Sequence, residues 1–434
     1  MKSIRYNSIT YKNCDYLSFA YNVIQWIGVF PPSDSTKWTR LVFNFYRAII
    51  FIILTLFTTL MTVQMFVTTE LTILARTIDI WTMFFSGLYK WIYMTVFNWE
   101  FSHLKFSLAQ LQTQGSKAYG RSADVFTADY LKQTKKISYW YLFSGFVAGF
   151  FIIVSPLLTY SKGDRSNFQY YNDPKSYPLS CWIPFTLNEN WMFLTIFICH
   201  SIALALIVLV YLGIDTYFFG AIYAVGGQIE LLNTSLNNNE NNLAQFENVS
   251  CTNQTSVYTE KQKMRCYSTL RECVKHHILV LDYIKNIRKL FSTLILVDYV
   301  HGITSVTFAL FQLTISASVI ETISVICFIF VSVWHQYLNN FFGEFIIQKQ
   351  LSVCTALYNV PWWRCDKRVR QLLTLMILRS IKPTLITGYY MYKLSYESFI
   401  SFVKALYTYY MIFLDMRSAS LLPILATILN TKIL

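Results

Sequence analysis

Apolar residues run nearly unbroken through seven stretches of this 434-residue chain. Leu41–Phe66, Leu71–Phe97, Ile137–Tyr160, Trp191–Gly213, Phe291–Leu313, Val319–Phe342 and, with more polar interruption, Leu394–Met416 have the length of about 20 residues that a helix needs to cross the hydrocarbon core. The pattern predicts an all-α, polytopic membrane protein with seven transmembrane helices. Two connections have a different character. Residues 161–190 are rich in Pro, Tyr, Asn and Asp and predict an ordered cap over the outer mouth, with turns at Pro178 and Pro184. Residues 233–256 are rich in Asn and poor in apolar side chains, which suits a disordered loop. Across Tyr258–Leu290, the positions Leu270, Val274, Ile278, Leu281, Ile284 and Ile287 recur at helical spacing. They predict an amphipathic helix that leads into the fifth span. Long helices of this kind imply a platform below the membrane on which subunits pack.

Charge then orients the spans. Residues 1–40, 98–136, 214–290 and 339–383 hold 26 of the 36 Lys and Arg residues, and the connections on the opposite side hold 5. Loops rich in Lys and Arg stay in the cytoplasm, so the amino terminus is expected inside and the carboxyl terminus outside. That is upside-down relative to a G-protein-coupled receptor. The chain divides into a cytoplasmic segment 1–40, a membrane domain 41–416 and an apolar extracellular tail 417–434. Residues 1–24 lack the compact apolar core of a cleavable signal, so the first span is expected to direct insertion.

Composition agrees. The chain is 54% hydrophobic and 14% charged, against about 25% charged for a soluble domain. The net charge of +13 follows from the loop bias. No basic stripe or nucleic-acid module accompanies it, so nucleic acid is not an expected partner. Three Asn-x-Ser/Thr sequons, at Asn233, Asn248 and Asn253, all fall in a loop assigned to the cytoplasm, where they escape glycosylation. Of nine cysteines only Cys181 is expected outside, and no spacing fits a zinc site.

No catalytic constellation stands out, and no cofactor or metal is implied. His277 and Asp282 form an H-x4-D pattern without a nucleophile or oxyanion motif beside it. His301 lies one turn after Asp298, and Arg76 one turn before Asp79; both read as charge-compensated intramembrane pairs. The outer halves of the spans offer a candidate ligand cavity. Met83, Phe84 and Gly87 share a face of span two, and Phe146, Gly149, Phe150 and Ile153 lie together on span three. Ile198, Ser201 and Ile202 on span four complete it, with Thr322 and Ile323 on span six. Small-molecule sites are mostly apolar with a few polar groups, which this set fits. In the last span Lys404, Thr408, Ile412 and Met416 recur every four residues, with Asp415 beside the last. Around a shared axis, Ile412 and Met416 form a constriction that gates by dewetting, and Asp415 a charge that favours cations.

The carboxyl third resembles the insect odorant receptor family. The run FGEFIIQKQLSVCTALYNVPWW (342–363) carries Gly343-Glu344 and the Ala-x-Tyr ahead of Trp362 and Trp363; Lys382-Pro383, Phe399 and Lys404 to Tyr409 follow. His277, Trp182 and Pro184 agree upstream. The resemblance implies a ligand-recognising subunit of an odorant-gated, non-selective cation channel, assembled as a heterotetramer with a co-receptor subunit. It also implies volatile odorants as ligands, the last helix as the pore lining, and the plasma membrane of olfactory sensory neuron dendrites as the location. By the same resemblance Ile412 and Met416 fall at the gate and Asp415 at the filter. Gustatory receptors are the alternative, but they carry Gln-Phe where this chain has Asp415 and Met416. A G-protein-coupled receptor is less compatible, since Leu157–Tyr160 and Tyr407–Ile412 lack its motifs.

Overall fold

In the computed structural model, residues 17–31, 36–119, 121–162, 173–186, 189–237, 260–315 and 319–431 are described. Side chains are described except at 18, 116–119, 121–128, 157–162, 262 and 416–431. The helices are α1 (Ser18–Trp26), α2 (Lys37–Val67), α3 (Leu71–Val96), α4 (Asn98–Tyr119), α5 (Arg121–Lys162), α6 (Asn190–Asn237), α7 (Glu260–Ile315), α8 (Val319–Tyr358), α9 (Lys367–Ser380) and α10 (Tyr396–Thr431). A two-residue hairpin, β1 (Thr387–Gly388) and β2 (Tyr392–Lys393), precedes α10. By length and composition, α2, α3, α6, α7, α8 and the part of α5 from Asp129 to Pro156 suffice to cross a membrane. The more polar α10 occupies the place of the seventh span.

Four of the predicted spans are segments of much longer helices. The third begins at Arg121, the fourth continues to Asn237, the fifth starts at Glu260 and the sixth runs to Tyr358. The seventh continues to Thr431, so the backbone of residues 417–431 prolongs α10. Inside the platform, α6 is enclosed on all sides: every residue from Val210 to Ile229 is buried. Apart from Asp215, Thr216 and Gln228 the sequence there is apolar around the helix, as suits a central position. The buried stripe on α7 runs through Cys266, Leu270, Cys273, His277, Val280, Ile284 and Ile287. Ile278, expected on that stripe, instead faces outward.

Histidines 276 and 277 enter the platform core, and His276 Nε2 lies 3.2 Å from Gln228 Oε1. Burial lowers both pKa values to about 4, so the imidazoles are neutral at cytosolic pH. Asp282 turns to solvent and pairs with Lys285 at 3.0 Å, so the H-x4-D residues do not meet. The Sγ atoms of Cys266 and Cys365 approach to 3.6 Å.

The short α1 went unread in the sequence. It lies across the inner ends of the spans, where the Arg47 Nε donates to Gly28 O at 2.8 Å and the Trp91 Nε1 to Ile27 O at 2.8 Å. Its Val23 and Ile24 side chains pack on Gly213 of α6. Opposite it, the outer cap is tied down from below. Arg76 donates to Tyr177 O at 3.0 Å and Lys175 O at 3.3 Å, and the Tyr177 ring is buried against Phe193 and His200. Cys181 is free and buried within the cap.

Of the sequons, Asn233 is on α6 and donates to Ser352 Oγ at 2.8 Å, while Asn248 and Asn253 lie outside the described residues. Digestion with a glycosidase is expected to leave the electrophoretic mobility of the expressed protein unchanged. A mobility shift that vanished on changing these three asparagines would reverse the orientation.

Candidate functional site

Five helices converge on one buried ammonium group. Lys90 of α3 is fully buried, and its Nζ lies 2.9 Å from Asp215 Oδ1 on α6 and 2.6 Å from Asp298 Oδ1 on α7. The other Asp215 oxygen accepts from the Tyr141 hydroxyl of α5 at 2.7 Å and lies 3.0 Å from His335 Nε2 on α8. Lys90 also sits over the Tyr211 ring, 4.3 Å from its centroid. Asp215, Asp298 and His335 have the mutual spacing of metal ligands, within 4.8 Å. The Lys90 ammonium already lies between the two carboxylates, so it supplies the cation of the cluster.

This arrangement replaces the local Asp298–His301 pair read from the sequence. Asp298 pairs with Lys90, and His301 instead packs its ring 5.7 Å from that of Tyr211. Arg76 holds the cap, while Asp79 accepts from Ser305 at 2.6 Å and from Gln312 at 3.4 Å. Arg76 and Asp79 thus stay within electrostatic reach of each other while their hydrogen bonds go to other partners.

A cavity opens directly above the network. Its lower wall is Tyr141, Tyr211, His301 and His335, so the residues that contact the carboxylates also face the space. Met83, Gly149, Ile152, Val208 and Phe328 make the remainder predominantly apolar. The inner space is small, about 90 Å³, but Ile152 and Phe328 also line an outer space of about 310 Å³. That outer space carries Arg76, Asp79, Gln312 and Glu321 under the cap. The two together approach the size of ordinary ligand pockets.

The candidate residues separate by helix face. Met83 and Gly149 line the inner cavity. Phe84 points the other way, fully buried with its ring 6.4 Å from that of Phe57, and Gly87 packs against Ile207 and Tyr211. Phe146, Phe150 and Ile153 border a separate groove on the outer surface of α5 and α6, which Gly149 also borders. Ile198, Ile202 and Ile323 are exposed on the flank of the bundle, Ser201 donates to Phe197 O, and Thr322 is half-buried. Lys90, Asp215 and His335 belong to no motif in the sequence. The signal available was a lysine and a histidine within apolar spans, positions that carry a functional question by default.

On α10, Phe402 and Leu406 bury themselves against Tyr299 and Val306 of α7. Lys404, Thr408, Ile412 and Asp415 fall on the exposed part of the helix, away from the chain's own bundle. The Met416 side chain lies outside the described residues.

The comparisons with known proteins match this architecture. The profile of the 7tm Odorant receptor family matches residues 70–407. This chain belongs to the odorant receptor family. Among relatives of this odorant receptor, odorant receptor 22c of Drosophila melanogaster is 21% identical over 124 residues, 29% of this chain and 31% of that one. Odorant receptor 67c of the same species is 29% identical over 111 residues, covering 25% and 27%. The odorant receptor coreceptor of Aedes aegypti is 22% identical over 160 residues, covering 37% and 34%. These matches span about a third of the length of the curated relatives. The olfactory receptor OR5 of Machilis hrabei, solved in complex with eugenol, shares the fold with a TM-score of 0.73 at 12% identity, covering 92% of this chain and 98% of that one.

Proposed function

We propose that this odorant receptor is the ligand-recognising subunit of a cation channel, and that a volatile molecule opens it from the cavity above the Lys90 network. The observation that carries this reading is that one set of side chains, Tyr141, Tyr211 and His335, forms both the cavity floor and the contacts to the ion cluster. A ligand seated there presses on α3, α5, α6, α7 and α8 together. It shifts the closed–open equilibrium by its differential affinity for the two states. The eugenol bound by the Machilis receptor is a small, largely apolar molecule of the kind this cavity accommodates.

The exposed side of α10 supports a pore lined by Thr408, Ile412, Asp415 and Met416 when subunits surround one axis, with a co-receptor subunit as the partner in a heterotetramer. The relatives are receptors, and the separation of His277 from Asp282 favours a channel over an enzyme. Residence in the plasma membrane of sensory dendrites accords with this role.

The test is current recording after co-expression with a co-receptor. A Cβ on Gly149 meets nothing within 4 Å, so Gly149→Phe projects into free space without a backbone clash. It is expected to shift odorant potency by about tenfold or more while surface expression is kept, as a 1–3 kcal/mol change in a pocket implies. Asp415→Asn is expected to change the ratio of divalent to monovalent permeability. Unchanged potency both in Gly149→Phe and in Ile152→Trp, a residue that lines the inner and outer spaces and not the separate groove, would reject the cavity, and unchanged permeability in Asp415→Asn would reject the filter role.

A further inference from the structure

We infer that the inner cavity selects molecules bearing a hydroxyl group on an apolar frame, and that His301 reads that hydroxyl. The inference rests on the cavity being the odorant site. The polar groups at its lower end are almost all committed elsewhere. The Tyr141 hydroxyl donates to Asp215, that of Tyr211 engages Ser86 and Met83 O, Ser144 donates to Tyr141 O, and His335 Nε2 lies against Asp215. His301 differs from all of these. Its Nδ1 is buried and has no hydrogen-bond partner among the described residues, although the ring borders the cavity.

A buried polar atom left unpaired costs free energy that a bound ligand recovers by pairing with it. A neutral imidazole offers one donor and one acceptor, and no protein partner fixes which role Nδ1 takes. A hydroxyl both donates and accepts, so it satisfies either tautomer. An ether or ester oxygen only accepts, so it pairs only with the tautomer that carries its proton on Nδ1, and a hydrocarbon leaves the nitrogen unpaired. Charge adds a second bias. The Lys90 ammonium is flanked by the carboxylates of Asp215 and Asp298, two acidic groups against one basic, which favours the positive end of an O–H dipole at the cavity floor. The apolar walls bind the rest of the molecule.

The probes are hexanol, octanol and phenol against their methyl ethers and the matched primary amines, applied to the receptor co-expressed with a co-receptor. The alcohols are expected to be about tenfold more potent than the ethers. In His301→Phe that ratio is expected to collapse, and in His301→Gln, which keeps a donor and an acceptor, to persist. Equal potency of alcohol and ether in the unaltered receptor would overturn the inference, as would a ratio that survives His301→Phe. Amines more potent than alcohols would place charge above the hydroxyl and overturn it too. Where His301→Phe does not reach the surface, the His301→Gln channel decides: a lost ratio refutes the role, a kept one supports it. If Gly149→Phe shifts all potencies and the alcohol preference is absent, the cavity stands and only the hydroxyl reading fails.

Discussion

Replacing Lys90 with methionine is expected to deprive the receptor of most of its folded, surface-expressed population. The ammonium is fully buried and neutralises carboxylates on two other helices, at 2.9 and 2.6 Å. Methionine fills similar volume, so the loss is electrostatic and not a cavity. Removing one partner of a buried ion cluster costs about 3–5 kcal/mol, because the remaining charges stay buried without compensation. Against a total stability of about 5–15 kcal/mol, that is a large fraction. The control is the triple variant Lys90→Met, Asp215→Asn, Asp298→Asn. It removes every charge of the cluster while keeping amide hydrogen bonds to Tyr141 and His335, and it is expected to recover expression and thermal stability. Detergent-solubilised receptor followed by fluorescence size-exclusion on heating reads both. A Lys90→Met protein as stable as the parent would show that the cluster contributes nothing to holding α3, α6 and α7 together.

The second large effect is expected at Gly343, where α8 meets the start of α10. A Cβ there falls 2.2 Å from Leu394 Cβ and 2.5 Å from Leu394 O. The segment cannot yield easily. Leu394 N donates to Ile386 O at 3.1 Å, and Asn340 Oδ1 accepts from Ser395 N at 3.1 Å and from the Tyr392 hydroxyl at 2.9 Å. Gly343→Ala therefore has to move the base of α10, and overpacking of this kind costs about 1–3 kcal/mol or more. The expected phenotype is reduced thermal stability together with altered gating, since the helix displaced is the one proposed to line the pore. Gly149→Ala is the matched control: its Cβ meets nothing, and in a helix it gains about 1 kcal/mol of propensity over glycine. Equal behaviour of the two variants would mean that the contact at Leu394 relaxes freely.

Much of the architecture was legible because its signals are long and local. An uninterrupted apolar run of span length reads as one thing, and the cytosolic continuation of α7 announces itself by period. The nine-residue α1 gives no such signal. It is too short to be stable alone, and what holds it is contact with Gly213 and hydrogen bonds from Arg47 and Trp91. The site was harder, for a geometric reason. Met83 and Phe84 are adjacent in sequence but 100° apart around the helix, so one borders the cavity and the other is packed toward Phe57. Composition narrows a site to a span, and rotation within the span depends on every neighbour. The ion cluster shows the same limit. Its members at 90, 215, 298 and 335 share no local spacing, whereas the attractive one-turn pair at 298/301 is split and the hydrogen bonds of the pair at 76/79 go to other partners.

The docking of α1 has a consequence for how the chain is made. Its seat on α6 includes Gly213, so roughly 190 residues must be synthesised after α1 before that seat exists. At translation rates of about 5–20 residues per second, the wait is on the order of ten to forty seconds. During that interval Leu17, Ala20, Ile24 and Ile27, all buried in the finished protein, lack the part of their native cover that α6 supplies. Docking of α1 is thus timed by the emergence of the fourth span, and a ribosome that stalls before it leaves the amino-terminal helix open to chaperones.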